Sequence, residues 1–302
     1  MSSDLHTQTR AVYHDQHERV ANDPATMKRF IDMFSAEYFG LERPFWEGAK
    51  AIDVGCGNTG KMLIALHKLG VRDITGTDLG EDFIEPTQKV LGKHGATNIK
   101  LVPGNALNLP FQDGEFDFAA CHGVLILLAN MDEVRQAFAE LARITKRNGW
   151  LYTVFGCVGG LMEDCLVPAL RNYYRDNQDF RRAIDNLEPE LFHQALSLSV
   201  KGVEQFEGER VDLSAVANLL DVDLCVTIQN LIQTPVRLPI DQQMIEEMYA
   251  ANGFGQPRRL KRYVKRKNIR RFLAPHHYAM GETTISKLLY GSGNLEFIAQ
   301  KK

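Results

Sequence analysis

The amino-acid sequence predicts an α/β protein built on a mostly parallel sheet, and three features predict it. Between residues 50 and 155, short apolar runs alternate with segments of helical period, the pattern of βαβ units. A glycine-rich stretch, Gly55-Cys56-Gly57-Asn58-Thr59-Gly60, joins the first apolar run to the first helical one. An acidic residue, Asp78, stands near the end of the second apolar run.

Each element is then expected in turn. Ala51 to Val54 reads as the first strand. A helix through Met62, Leu63, Leu66 and Leu69 follows and stops at Gly70. Ile74 to Leu79 is the second strand, residues 82–94 a helix and Ile99 to Val102 the third strand. Phe116 to Cys121 is the fourth. The next helix has the clearest start: Asn130 as N-cap, Glu133 three residues on, and Val134, Phe138 and Leu141 on one face. Lys146 and Arg147 are expected in its last turn, with Gly149 as its stop and Trp150 to Phe155 as the fifth strand.

Two regions break the alternation. Residues 10–47 read as helical, with Asp23-Pro24 as a helix start. Residues 156–240 are mixed and carry prolines at 168, 189, 235 and 239. Beyond them a helix is expected from Met244 to Ala251, a strand over 256–264 and a last strand from Leu295 to Ala299.

Composition narrows the function classes. A formal net charge of -3 argues against a chain coated in positive charge for nucleic acid. Five cysteines, with no C-x-x-C pair, fit reduced thiols in a cytoplasmic protein better than a disulfide frame or a metal site. The first residues have no apolar segment of the secretory kind, and no run is long enough to span a bilayer.

The glycine motif acquires meaning from its context, after a strand and before a helix. Glycines there let backbone amides approach a ligand at a helix N-terminus. A carboxylate at Asp78 is placed to accept from ribose hydroxyls. Dinucleotides and S-adenosylmethionine both use such a site. Asp53, two residues before the first glycine, would repel a pyrophosphate but suit an amino group, so a dehydrogenase is disfavoured.

Gly104-Asn105-Ala106, Leu109-Pro110-Phe111 and Phe116-Asp117-Phe118 complete a set that resembles the core of a class I S-adenosylmethionine-dependent methyltransferase, of the small-molecule methylating group. The tail is similar too, with Asn252-Gly253-Phe254 ending a helix before two further strands. The resemblance implies a Rossmann-like seven-stranded sheet whose last strand is antiparallel. It implies that Asp53, Gly55 and Gly57 hold the methionine half of the cofactor. Asp78 would bind the ribose, Leu79 would lie beside the adenine, and Asn105 and Ala106 would meet the adenine edge. Relatives usually carry Asp where Asn105 stands. Tyr13 lies in a segment similar to the tyrosine-containing lid of relatives, with His14 and His17 nearby, and could face the sulfonium.

His122, just past the fourth strand, is the candidate catalytic base and a candidate cofactor contact. His276-His277-Tyr278 is a weaker acceptor-side candidate. The nine basic residues between Arg258 and Arg271 raise an RNA-methylating alternative, weighed against a plain solvated strand. A further alternative is a cofactor-binding protein without turnover. The expected organisation is a helical lid over 1–48, a cofactor-binding core over 49–155, an acceptor-site cap over 156–240 and completion of the core over 241–302. The favoured function is methyl transfer to O, N or S of a small-molecule acceptor, without a metal.

Overall fold

The computed structural model describes residues 2–156, 158–186, 229–261 and 283–302. Four helices come first: α1 (Ser2–Ala21), α2 (Pro24–Met33), α3 (Ala36–Phe39) and α4 (Arg43–Gly48). Asp23 starts α2 as expected, its carboxylate accepting from the Ala25 amide and the Thr26 hydroxyl, with Pro24 in the first turn where no amide is needed.

The sheet then builds by alternation: β1 (Lys50–Val54), α5 (Lys61–Leu69), β2 (Asp73–Asp78), α6 (Ile84–Lys93), β3 (Ile99–Pro103), β4 (Phe116–His122), α7 (Met131–Ile144) and β5 (Thr145–Phe155). After β5 come α8 (Val167–Asp176) and α9 (Gln178–Asp185), then α10 (Gln242–Ala251), β6 (Arg258–Arg259), α11 (Thr284–Tyr290) and β7 (Leu295–Gln300). The seven strands run in the order β3-β2-β1-β4-β5-β7-β6. β1 to β5 are parallel, and β7 is antiparallel to both β5 and β6. This is the expected Rossmann-like sheet with its antiparallel last strand.

The chain alternates sides along each strand, so two cores form, one per face. Ala51, Phe118, Ala120 and Tyr152 face a core shared with Met27, Ile31, Trp46, Leu63 and Leu66. Ile52, Val54, Ala119 and Leu151 face the other, shared with Val134, Phe138, Leu141, Ile245 and Tyr249. Strands covered on both faces need apolar residues at every position, which is why the early strands read as runs. No described helix is long and apolar enough to cross a membrane.

Two boundaries differ from expectation. α7 ends at Ile144, not beyond Arg147. The β-branched pair Ile144-Thr145 turns into β5, where Thr145 pairs with Phe116 and the Lys146 ammonium sits 2.9 Å from both Asp117 oxygens. Asn148 takes a left-handed φ of 64°, and a Cβ on Gly149 would lie 2.9 Å from the Lys146 carbonyl. Lys146 therefore serves the sheet, and Gly149 serves a bulge within it. The strand expected over 256–264 is short: only Arg258 and Arg259 pair with β7 among the described residues.

Candidate active site

The carboxyl ends of β1, β2, β3 and β4 open on one side of the sheet, and the elements that follow them wall a single cleft. Its lining includes Val54, Gly55 and Gly57 after β1, Asp78 and Leu79 at β2, and Gly104, Asn105 and Ala106 after β3. His122, Gly123, Val124, Leu127 and Leu128 close the β4 side. Thr9, Arg10, Tyr13 and His17 of α1 border it as well. The cleft encloses about 980 Å³, counting space open to solvent.

The glycine loop is held by its neighbour strand. Gly55 and Cys56 donate to the Thr77 carbonyl at 2.8 and 3.1 Å, which ties the loop to the end of β2. Gly55 and Gly57 have φ of 81° and 58°. A Cβ on Gly57 would stand 2.6 Å from His17 Nδ1, so the residue is glycine for close approach as well as for its backbone angle.

Asp78 accepts from the Gly57 amide through one oxygen and from the Leu79 amide through the other, each at 2.7 Å. A carboxylate oxygen can accept more than one hydrogen bond, so Asp78 can hold the loop and still accept from ligand hydroxyls.

Asp53 sits beneath the loop, 2% exposed, and one carboxyl oxygen has no hydrogen-bond partner among the described residues. Burial, with the Asp78 charge adding to it and Lys61 opposing, pushes its pKa to about 8. Burial also raises the pKa of the Cys56 and Cys121 thiols, which disfavours the thiolate.

His122 ends β4. Its Nδ1 lies 3.4 Å from the Tyr152 hydroxyl, and its ring meets Phe34 edge-on with centroids 5.5 Å apart. Tyr152 reaches Glu296 Oε2 at 3.4 Å and the Tyr38 hydroxyl at 3.2 Å, and Tyr38 donates to the same Glu296 oxygen. Glu296 is 1% exposed. A buried carboxylate thus anchors a hydrogen-bonded path that ends on the histidine at the cleft.

Residues 52–153 match a family model described as a methyltransferase domain. The core of this chain, residues 52–153, is thus similar to methyltransferase domains. Similar curated proteins include the demethylmenaquinone methyltransferase of Staphylococcus haemolyticus, 39% identical over 106 residues, covering 34% of this chain and 42% of that protein. The demethylmenaquinone methyltransferase of Bacillus subtilis is 34% identical over 105 residues, covering 34% of this chain and 43% of that one. The chain thus spans less than half the length of these curated relatives. Among solved structures, PKMT2 from Rickettsia typhi in complex with AdoHcy superposes with a TM-score of 0.53 at 16% identity, over 93% of this chain and 53% of that one, and shares the fold.

Eight of the nine sequence-predicted site residues border one cleft: Tyr13, Gly55, Gly57, Asp78, Leu79, Asn105, Ala106 and His122. Asp53 is the exception, lying behind the loop and not in the cleft lining. The Asn105 side-chain carbonyl accepts from the Leu107 amide at 2.9 Å and so caps its own turn. The Tyr13 phenol bonds Thr234, and burial raises its pKa.

Thr9, Arg10, Tyr152 and Glu296 carry no motif and were not expected at the site. The one signal was Glu296 itself, an acid inside the apolar run Leu295 to Ala299. Of the basic stretch, Arg258 donates to the Phe39 carbonyl, and Arg259 to the carbonyls of Ser292 and Asn294. These two bind the fold. Residues 262–271 and His276-His277-Tyr278 lie outside the described residues. Among the described residues no cluster of three metal-ligating side chains occurs.

Proposed function

We propose that this chain transfers a methyl group from S-adenosylmethionine to a small-molecule acceptor by in-line displacement. The observation that carries the reading is the single cleft that gathers the glycine loop, Asp78, the Asn105-Ala106 turn and His122. The chain's residues fit that cofactor. The unpartnered Asp53 oxygen behind Gly55 can accept from a cationic amino group, whose charge would favour the ionised carboxylate. Gly55 and Gly57 allow close backbone approach for the methionine half, Asp78 suits the ribose, and Leu79 with Asn105 and Ala106 suits the adenine.

When bound, the cofactor supplies a methyl group already activated by its sulfonium. The remaining work is positioning and exclusion of water. In this reading α1 is a lid that brings Tyr13 over the cleft, and residues 156–240, of which 187–228 lie outside the described residues, are assigned to the acceptor-side cap. His122 receives the acceptor's proton, and the Tyr152–Glu296 path holds its Nδ1 side, leaving Nε2 for the acceptor.

The relatives' name points to a quinone-type small acceptor, but the family match ends at residue 153, before the proposed cap. The test is direct. Labelled cofactor incubated with the full chain and a metabolite extract should yield a labelled small molecule, and calorimetry should detect S-adenosylhomocysteine but not NAD. Label confined to RNA would sink the small-molecule reading, and absence of S-adenosylhomocysteine binding would sink the cofactor assignment.

A further inference from the structure

A second cavity lies beside the cofactor cleft, bordered by Ile126, Gly156, Glu163, Asp164, Arg237 and Leu238. The two spaces are neighbours: Ile126 borders one and Leu127 the other. Tyr13 links them, since it lines the cofactor cleft while its phenol bonds Thr234 and lies within electrostatic reach of Arg237 and Arg171. Gly156 follows β5 directly, and its lack of a side chain makes room for the arginine: a Cβ there would stand 2.9 Å from Arg237 Nη2.

The charge in this place is not balanced by good hydrogen bonds. Arg237 Nη2 is 3.5 Å from Glu163 Oε1, well beyond the length of a charge-assisted bond. Arg237 Nη1 and Arg171 Nη2 are both buried with no hydrogen-bond partner among the described residues. Arg171 is otherwise fixed, its Nε donating to the Leu231 carbonyl at 2.8 Å. Two guanidinium groups therefore share one partly exposed carboxylate, Glu163, and Asp164, at the cavity border, is exposed. Burial, reinforced by Arg237, lowers the Arg171 pKa, while burial raises that of Glu163. Buried donors without partners are costly, and an entering oxyanion would satisfy both at once.

We propose that this cavity takes an anionic oxygen group, a carboxylate or phosphate, of the methyl acceptor, with Arg237 as the direct contact and Arg171 beside it. The inference rests on the methyltransferase reading of the neighbouring cleft. It adds a substrate class: an acceptor with an acidic group, held past the end of β5 while its nucleophilic atom points toward the end of β4.

The test is a ligand-observed NMR titration of the full chain with benzoate, phenyl phosphate and benzyl alcohol, with and without S-adenosylhomocysteine. At least one anion should bind and the alcohol should not. Arg237→Met should weaken anion binding about ten-fold or more, the loss of a bidentate charged contact. Glu163→Gln should tighten it several-fold, a gain that damage to the fold would not produce. Binding of the alcohol as strong as that of the anions, no anion binding, or anion affinity unmoved by Glu163→Gln would overturn the proposal. Should Arg237→Met fail to fold, Glu163→Gln decides alone. Should S-adenosylhomocysteine fail to bind, the cofactor reading falls separately and the anion titration still stands on its own.

Discussion

The hydroxyl of Tyr152 lies 3.4 Å from His122 Nδ1 and 3.4 Å from Glu296 Oε2, so one phenol joins the histidine at the cleft to a buried carboxylate on β7. Such an arrangement fixes the ring and selects its tautomer. If His122 accepts the acceptor's proton, His122→Ala should lower methyl transfer by roughly 10²–10⁴-fold. Affinity for S-adenosylhomocysteine should fall far less. Tyr152→Phe should keep the fold and shift the acidic limb of the pH–rate profile, which a purely structural tyrosine would leave in place. Near-normal turnover in His122→Ala would show that the acceptor needs no base at this position.

Asp78 has two tasks, holding the Gly57 and Leu79 amides and facing the cleft. Asp78→Ala should weaken S-adenosylhomocysteine binding by roughly 1–3 kcal/mol, because it leaves polar groups unpaired on both sides. Asp78→Asn keeps one acceptor and should lose less. Calorimetry on the three proteins gives the order, and equal affinities would remove Asp78 from the ribose site.

Asp53 sets a pH dependence whose sign is fixed. Its folded pKa, about 8, is above that of an unfolded aspartate, so the folded chain holds a proton that the unfolded chain releases. The associated stability is complete below the unfolded pKa and is lost as pH rises toward 8. Asp53→Asn should flatten this slope, which for one proton is at most about 1.4 kcal/mol per pH unit. Urea unfolding of the unliganded proteins at pH 5, 6, 7 and 8 measures it, and parallel pH profiles would contradict the assignment.

Gly57 offers a test of the loop. Gly57→Ala would meet His17 and would also place an L-residue at φ 58°, which costs roughly 1–2 kcal/mol. Pairing it with His17→Ala should restore only part of the melting temperature, since the backbone cost remains. Full recovery in the double variant would mean that the contact with His17 was the whole effect.

Much of this protein could be read locally. The β1–glycine loop–α5 unit, Asp78 at the end of β2 and the Asn130 cap on α7 each declare themselves within a few turns of chain. Their signals are short-range: glycine for backbone angle, a side-chain oxygen for free amides, apolar spacing for a buried face. The end of α7 was not legible, because Lys146 and Arg147 suit a helix terminus equally well until Asp117 and the pairing of Thr145 with Phe116 draw them into the sheet.

The sequence by itself determined the sheet, the glycine loop and the end of β2 beside it. Only the tertiary structure brought His122 to Tyr152 and Glu296, and Tyr13 to Arg171 and Arg237. Those residues come from elements far apart in the chain, and none carries a local pattern of its own. Whether a lone histidine, glutamate or arginine is solvated or committed depends on what burial puts opposite it, and that is settled when the strands take their order and α1 closes on the cleft.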